Sequence, residues 1–441
     1  MSSHNAWVVT VDMGYGHQRA AYPLRNFSPQ GRVVIANNYQ GIPKKDWRTW
    51  KNIRSIYETV SRLYTVPLIG PKLFGVMDEI QALPQFYPRR DLSHPTLQLR
   101  QTYYSIRRGW GKDLIKFLNT KSLPLIATFF TAAYMAEEHG FKEEIYLTVC
   151  DSDISRAWAP LNPQKSRIKY LAPTRRVVER LKLYGVREDH IFLTGFPLPQ
   201  ENIGEDLRII KNDVAERIIN LDPEKRYRKK YAETLKQFFK GIKIDERHTH
   251  PLTITFAVGG AGAQKAIADA ILQSLKKKLL NGEINLNLIA GSRNEVFLYF
   301  KKKIIDLGLE KLLDSNIKII FALEKEDYFK AFNEILRTTD VLWTKPSELS
   351  FYSALGLPII IAPPLGSQEH FNREWLKTIG GGIDQEDPRY THEWLFDAVN
   401  SGWLAEAAMS GFLDGRQFGV ENIVDVVFHG ERTPEMDDEL L

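Results

Sequence analysis

An α/β fold in two halves is what the sequence predicts, on three observations. Short apolar runs alternate with helical patterns from residue 7 to residue 195. A charged stretch at 205–250 breaks the alternation, which then restarts at residue 252 and continues to residue 363. Short apolar strands joined through helices form βαβ units, and such units build parallel sheets.

In the first half the predicted strands are WVVTVD (7–12), RVVIAN (32–37), PLIATFF (124–130), IYLTVCD (145–151), IKYLAP (168–173) and HIFLTG (190–195). TRRVVERLKLY (174–184) has the periodicity of an amphipathic helix. The stretch 205–250 is charged and mostly helical, with a break at Pro223, and reads as a connection between domains. In the second half LTITFAV (252–258), INLNLIAG (284–291), NIKIIFA (316–322), DVLWT (340–344) and LPIIIAP (357–363) are strands, and 262–279 is a helix. The expected domains are therefore 1–204, a connection at 205–250, 251–400, and C-terminal helices over 401–441 that pack back onto a core.

Residues 41–110 contain no convincing strand. They hold twelve Lys/Arg against five Asp/Glu, a net of +7 that exceeds the +5 of the whole chain. Ten aromatics fall in the same stretch, among them Trp47, Trp50, Tyr103, Tyr104 and Trp110. A helical insertion reaching to about residue 120 of the first half fits both facts. Basic and aromatic side chains suit an anionic membrane surface. The same aromatics at helical spacing also suit a subdomain core.

The bulk composition narrows the class. A chain of 441 residues, 43% hydrophobic and 26% charged, is globular in composition and long enough for two or three domains. No apolar run is long enough to span a membrane, and MSSHNAWVVTVD lacks the pattern of a signal peptide. Cys150 is the single cysteine, which excludes an internal disulfide framework and a cysteine-built zinc site and fits a reducing cytoplasm. The modest net charge gives no reason to expect a nucleic-acid partner.

Ligands of open α/β sheets bind beyond the carboxyl ends of the strands, so the strand-to-helix junctions are the candidate sites. In VDMGYGHQRA (11–20), Gly14 and Gly16 allow positive φ or a close backbone approach. His17 follows at a helix start, where the dipole favours a neutral imidazole. A plain glycine turn accounts for the same letters. In VGGAGAQKA (258–266), Gly259, Gly260 and Gly262 separate a strand from a helix and can offer backbone N–H groups to a diphosphate. This loop matches neither the dinucleotide spacing nor a Walker motif, and a tight turn explains it as well. Arg293 follows a third strand. Lys345, Glu348, Gln368, Glu369 and Asn372 gather after two more, in TKPSELSFYSALGLPIIIAPPLGSQEHFN (344–372).

Taken in order, these stretches resemble the family 28 glycosyltransferases of the GT-B fold. That group includes the monogalactosyldiacylglycerol synthases, the diacylglycerol glucosyltransferases and the peptidoglycan N-acetylglucosaminyltransferase. MGYGHQRAA looks like the family's first glycine–histidine loop, and TVCDSDISRAW like its Val-Thr-Asp…Trp segment. YLAPTRRVVERLKLYGVREDHIFLTGFPLP is similar to its stretch ending Thr-Gly-Ile-Pro. VGGAGAQ, AGSRNEV, TKP and GLPIIIAPPLGSQEHFN resemble its donor-domain elements. The likeness runs over about residues 7–376.

The resemblance implies two Rossmann-like domains facing a cleft, an N-terminal acceptor domain and a C-terminal donor domain. It implies transfer of a sugar from a nucleotide-sugar, with UDP the expected nucleotide, to an acceptor hydroxyl, with inversion. A lipid is among the expected acceptors. No metal or other cofactor is expected, and the enzyme would work in the cytoplasm, at the inner face of the membrane if the acceptor is lipid. His17 takes the place of the family's loop histidine, with Asp151 or Asp153 as the other candidate base. Gly259, Gly260 and Gly262 would face the diphosphate. Gln368, Glu369 and Asn372 would contact the donor sugar or orient its loop.

Three departures stand against this. Tyr15 interrupts the first glycine loop, and Ser155 replaces a common family histidine. TKPSELSFYSALGLP is about two residues short, so Phe351 falls where the family places its ribose-binding glutamate, and Glu348 is the nearest carboxylate. The competing readings are a sugar-nucleotide epimerase of the same architecture and a non-catalytic sugar-nucleotide or glycan-binding protein.

Overall fold

The computed structural model describes residues 4–63, 83–242, 250–257, 264–364 and 366–432. The loop holding Gly259, Gly260 and Gly262 lies outside the described residues. The chain divides into two compact units. The first comprises Met1–Leu198, Leu365–Asn372 and Arg416–Leu441, and the second comprises Pro199–Pro364 and Arg373–Gly415. Each is built on a six-stranded, wholly parallel sheet, so both are Rossmann-like, as the sequence predicts.

The first sheet contains β1 (Trp7–Thr10), β2 (Val34–Ile35), β3 (Leu125–Ala127), β4 (Ile145–Thr148), β5 (Lys169–Ala172) and β6 (Ile191–Leu193). Their order is β2-β1-β3-β4-β5-β6. Parallel sheets are covered on both faces, and alternate residues of a strand supply the two cores. Trp7, Val9, Leu125, Ala127, Ile145 and Leu147 belong to one core. Val8, Ile126, Tyr146 and Leu171 belong to the other, where Val420, Ile423 and Val426 cover them. The C-terminal helix Gly419–Val424 is thus part of the first unit. A Cβ at Gly419 would lie 2.2 Å from the Phe196 carbonyl, so only glycine permits that approach. The helix Trp403–Asp414, by contrast, belongs to the second unit.

The described part of the insertion contains the helices Lys44–Leu63, Leu97–Arg107 and Lys112–Leu118, with an irregular stretch over 83–96. Its aromatics divide between interior and surface. Trp50, Tyr103 and Trp110 are buried, the two indoles 4.7 Å apart. Trp47 and Tyr104 are exposed, each beneath a cation, Lys51 at 5.0 Å and Arg108 at 5.4 Å. Lys45 Nζ donates to the Arg108 carbonyl at 3.3 Å, which ties the start of the first of these helices to the end of the second.

The second sheet contains β7 (Leu252–Ala257), β8 (Ile284–Gly291), β9 (Ile317–Phe321), β10 (Val341–Thr344), β11 (Ile359–Ile361) and β12 (Gly382–Asp384). Their order is β12-β11-β10-β7-β8-β9. The chain winds outward from β7 through β8 to β9, then returns to β10 on the other side of β7 and winds outward again. That is the doubly wound dinucleotide-fold order, and its switch point lies between β7 and β10.

The stretch read as a connection from residue 205 is, over its described part, a piece of this second unit. The helix Arg208–Leu221 buries Arg217, whose guanidinium donates to the carbonyls of Leu336, Thr339, Leu355 and Gly356. Helix ends and turns leave carbonyls without helical partners, and one buried arginine bonds four buried carbonyls here. The charge that suggested a linker is partly internal.

Candidate functional site

Each sheet has its own switch point, with His17 following β1 at the first and Lys345 and Glu348 following β10 at the second. In the first sheet the winding reverses between β1 and β3. The end of β1 is clasped by Asn37, whose Oδ1 accepts from the Asp12 N–H at 2.8 Å and whose Nδ2 donates to the Asp12 carbonyl at 3.1 Å. Gly14 then turns the chain at φ +111°, a conformation that favours glycine. Gly16 is different: it opens the helix Gly16–Ala21 without a positive φ. Gln18, which the sequence reading overlooked, folds back across the turn. Its Nε2 lies 3.3 Å from Asp12 Oδ1, 3.3 Å from the Gly14 carbonyl and 3.4 Å from the Val11 carbonyl.

His17 is the second residue of that helix. Its ring packs edge-on against Phe129 at 4.8 Å and lies 6.1 Å from Trp158. Burial pushes the imidazole down to about 4, with a backbone hydrogen bond to Thr128 opposing it. The imidazole is therefore neutral at physiological pH, as expected, but desolvation is the cause. A helix of six residues leaves the dipole a minor part. Nδ1 is buried with no hydrogen-bond partner among the described residues.

Asp151 and Asp153 follow β4 and have opposite surroundings. Asp153 is 1% exposed and fully engaged. Arg180 donates to both its oxygens at 2.8 Å, Arg176 to Oδ2 at 2.9 Å, and the Ile154 N–H to Oδ1 at 2.9 Å. That is an internal ion cluster. Asp151 is half-buried, and Asn372 Nδ2 donates to its Oδ1 at 3.1 Å. The same carboxamide accepts from the Ser152 N–H at 2.8 Å. Asn372 is fully buried, with both ends of its side chain committed to the loop after β4. Two residues chosen from separate motifs are thus neighbours, and Asn372 acts on Asp151.

In the second sheet, register places the groups. Thr344 at the end of β10 pairs with Ala257 on one side and with Ile361 on the other. Lys345 and Glu348 therefore follow β10 at the switch point, next to the carboxyl end of β7. Lys345 is half-buried, and Glu348 is buried at the start of the 3-10 helix Glu348–Leu355. Phe351 is core, its ring 4.9 Å from that of Trp375, so no carboxylate is available from the later helix position. Gln368 and Glu369 are half-buried in the first turn of the helix Ser367–Thr378. Arg293 follows β8, where Gly291 turns the chain at φ +66°, and its guanidinium lies 3.5 Å from Glu295. Among the described residues no group of three or more His, Cys, Asp or Glu could hold a metal ion. No helix among them is long and apolar enough to cross a membrane.

Residues 242–372 match the family described as "Domain of unknown function (DUF6938)". No curated protein matches. Solved structures of similar fold include UDP-GlcNAc 2-epimerase from Neisseria meningitidis bound to UDP-GlcNAc. It is 12% identical, with a TM-score of 0.45 over 96% of this chain and 100% of that one. A UDP-N-acetylglucosamine 2-epimerase so described from Listeria monocytogenes is 13% identical, with a TM-score of 0.47 over 99% and 100%. MurG of Acinetobacter baumannii is 14% identical, with a TM-score of 0.42 over 84% and 95%.

Proposed function

We propose that this chain is an enzyme acting on a nucleotide-sugar. One observation carries the reading: the second sheet has the doubly wound order, and Lys345 and the buried Glu348 emerge at its switch point. A nucleotide bound there has its charged diphosphate beside the loop that follows β7, where Gly259, Gly260 and Gly262 occur in sequence. Backbone N–H groups of such a loop meet phosphate charge. Glu348 takes the ribose. Screening UDP-, GDP-, ADP- and dTDP-linked sugars by thermal shift tests the reading, and no stabilisation by any of them removes it. Glu348→Gln is expected to weaken the best ligand by about 10- to 100-fold, the scale of a charged hydrogen bond. The loss should shrink for the 2′-deoxy form; equal losses would show that Glu348 does not read the ribose.

The reaction we favour is transfer of the sugar to an acceptor hydroxyl. His17, neutral and with one ring nitrogen unpartnered, is suited to take a hydroxyl proton. Epimerisation of the sugar is the second reading, and Asp151 favours it. A carboxylate held in one orientation by Asn372 is the type of base that removes a proton from carbon. Incubation with UDP-N-acetylglucosamine in D2O separates the two. Deuterium appearing at a ring carbon means epimerisation, whereas acceptor-dependent release of UDP without deuterium means transfer.

For transfer, we propose an acceptor presented on an anionic lipid surface at the cytoplasmic side. Trp47 and Tyr104, exposed beneath Lys51 and Arg108, support this. Binding to vesicles should rise with anionic lipid, fall with salt, and weaken in Arg108→Glu. Equal partitioning into neutral vesicles would rule the surface out.

A further inference from the structure

Gln264 immediately precedes the helix Lys265–Leu280, in the connection that follows β7 in sequence. It is 7% exposed. Its Nε2 donates to the Pro363 carbonyl at 2.8 Å. A carbonyl only accepts, so this bond fixes which end of the carboxamide is nitrogen. Oε1 is the other end, and it is buried with no hydrogen-bond partner among the described residues. Burying a strong acceptor without a donor is costly, and folded proteins rarely leave one so. A methionine of similar length would fill the space without that cost.

The place of this orphan atom is informative. Gln264 follows β7 and Pro363 follows β11, with β10 between them in the sheet. The bond from Gln264 to Pro363 therefore ties together the connections that follow the two strands flanking β10, after which Lys345 and Glu348 come. The amide is held through its nitrogen, and Oε1 is left as an acceptor without a partner among the described residues, in the connection between β7 and its helix.

We propose that Gln264 is a binding residue whose Oε1 accepts a hydrogen bond from a hydroxyl of the bound nucleotide-sugar. This rests on the function proposed above. The chemistry selects the partner. A diphosphate at neutral pH has no proton to donate, whereas the ribose and the pyranose on either side of it carry several hydroxyls. A ligand lacking the matching hydroxyl leaves Oε1 unpaired in a desolvated site, and such sites discriminate strongly.

The test is calorimetric binding of UDP, ADP and GDP, their glucose conjugates and the 2′-deoxy diphosphates, to wild type, Gln264→Met and Gln264→Glu. Gln264→Met is expected to lose about ten-fold in affinity for ligands that carry the hydroxyl, and little for those that lack it. A loss confined to the glucose conjugates assigns the pyranose. A loss shared by the ribonucleoside diphosphates but absent from their 2′-deoxy forms assigns the ribose. Gln264→Glu keeps an acceptor oxygen, so its charge should lower all affinities evenly, without dependence on the hydroxyl. If the Met variant does not fold, Gln264→Leu, which also lacks the acceptor, takes its place, with the same hydroxyl-dependent loss expected. An equal loss for every ligand in Gln264→Met, or none, means Gln264 only anchors Pro363, and the inference falls alone. Wild-type protein that binds no ligand of the panel overturns the proposed function, and this inference with it.

Discussion

Replacing Arg180 by methionine is expected to destabilise the first unit by about 3 kcal/mol, the cost of removing the buried partner of a buried carboxylate. Neither side chain of the Arg180–Asp153 pair is more than 1% exposed. The guanidinium makes two parallel bonds to the carboxylate, and its remaining nitrogen donates to the Pro84 carbonyl at 2.8 Å. Arg176 also reaches Asp153, but its side chain is 36% exposed, and Arg176→Met should cost about 1 kcal/mol or less. A double variant, Arg180→Met with Asp153→Asn, should recover part of the loss because no ion is then buried. Hydrogen exchange in β4 and β5 reads this unit by itself. If Arg180→Met and Arg176→Met exchange alike, the buried pair is not what holds the loop after β4.

This cluster also shows where sequence reading stops. Asp151 and Asp153 are two residues apart, both follow a strand, and the letters alone make either a candidate base. What separates them is Arg180. A signal for it was present: along the helix Arg175–Leu183, Arg180 falls among Val177, Leu181 and Tyr184, all buried. An arginine in an apolar stripe requires an internal partner. The pairing of Asp151 with Asn372 had no such signal, since 221 residues separate them and only the tertiary fold brings them together.

The sheets divide along the same line. Largely apolar runs such as ITFA in β7 and LNLIAG in β8 are legible because both faces of a parallel sheet are covered. The second strand was overdrawn: only Val34–Ile35 pair, and they lie half-buried at an edge. β12 was missed because it is an edge strand of Gly382, Ile383 and Asp384, with no apolar run. A Cβ at Gly382 would lie 2.5 Å from the Ile359 carbonyl, so packing against β11 selects that glycine. Asn37, Gln18 and Gln264 were invisible for a simpler reason. Each acts through its carboxamide on backbone or side-chain groups that local sequence does not place.

His17→Ala is expected to lower turnover of the proposed reaction by about 10²–10⁴-fold, the contribution of a positioned general base. Nucleoside diphosphate affinity should hardly change, because the proposed nucleotide site is on the other sheet. The pH dependence gives the residue away. Its folded pKa of about 4 lies below the ordinary 6.5, so the acid limb of the rate assigned to His17 should lie near pH 4. Stability follows the same sign. Between pH 6.5 and about 4 the unfolded chain binds a proton that the buried ring refuses, so wild type loses stability as pH falls through that window. The loss approaches about 3 kcal/mol at most, and His17→Gln should lose correspondingly less. Phe129 and Trp158 around the ring make a second outcome physically reasonable, in which His17 only fills space. In that case the alanine variant melts earlier, a phenylalanine at the position restores the melting temperature, and turnover per folded molecule is unchanged throughout. Restored stability without restored turnover in His17→Phe is the result that makes His17 a reacting group.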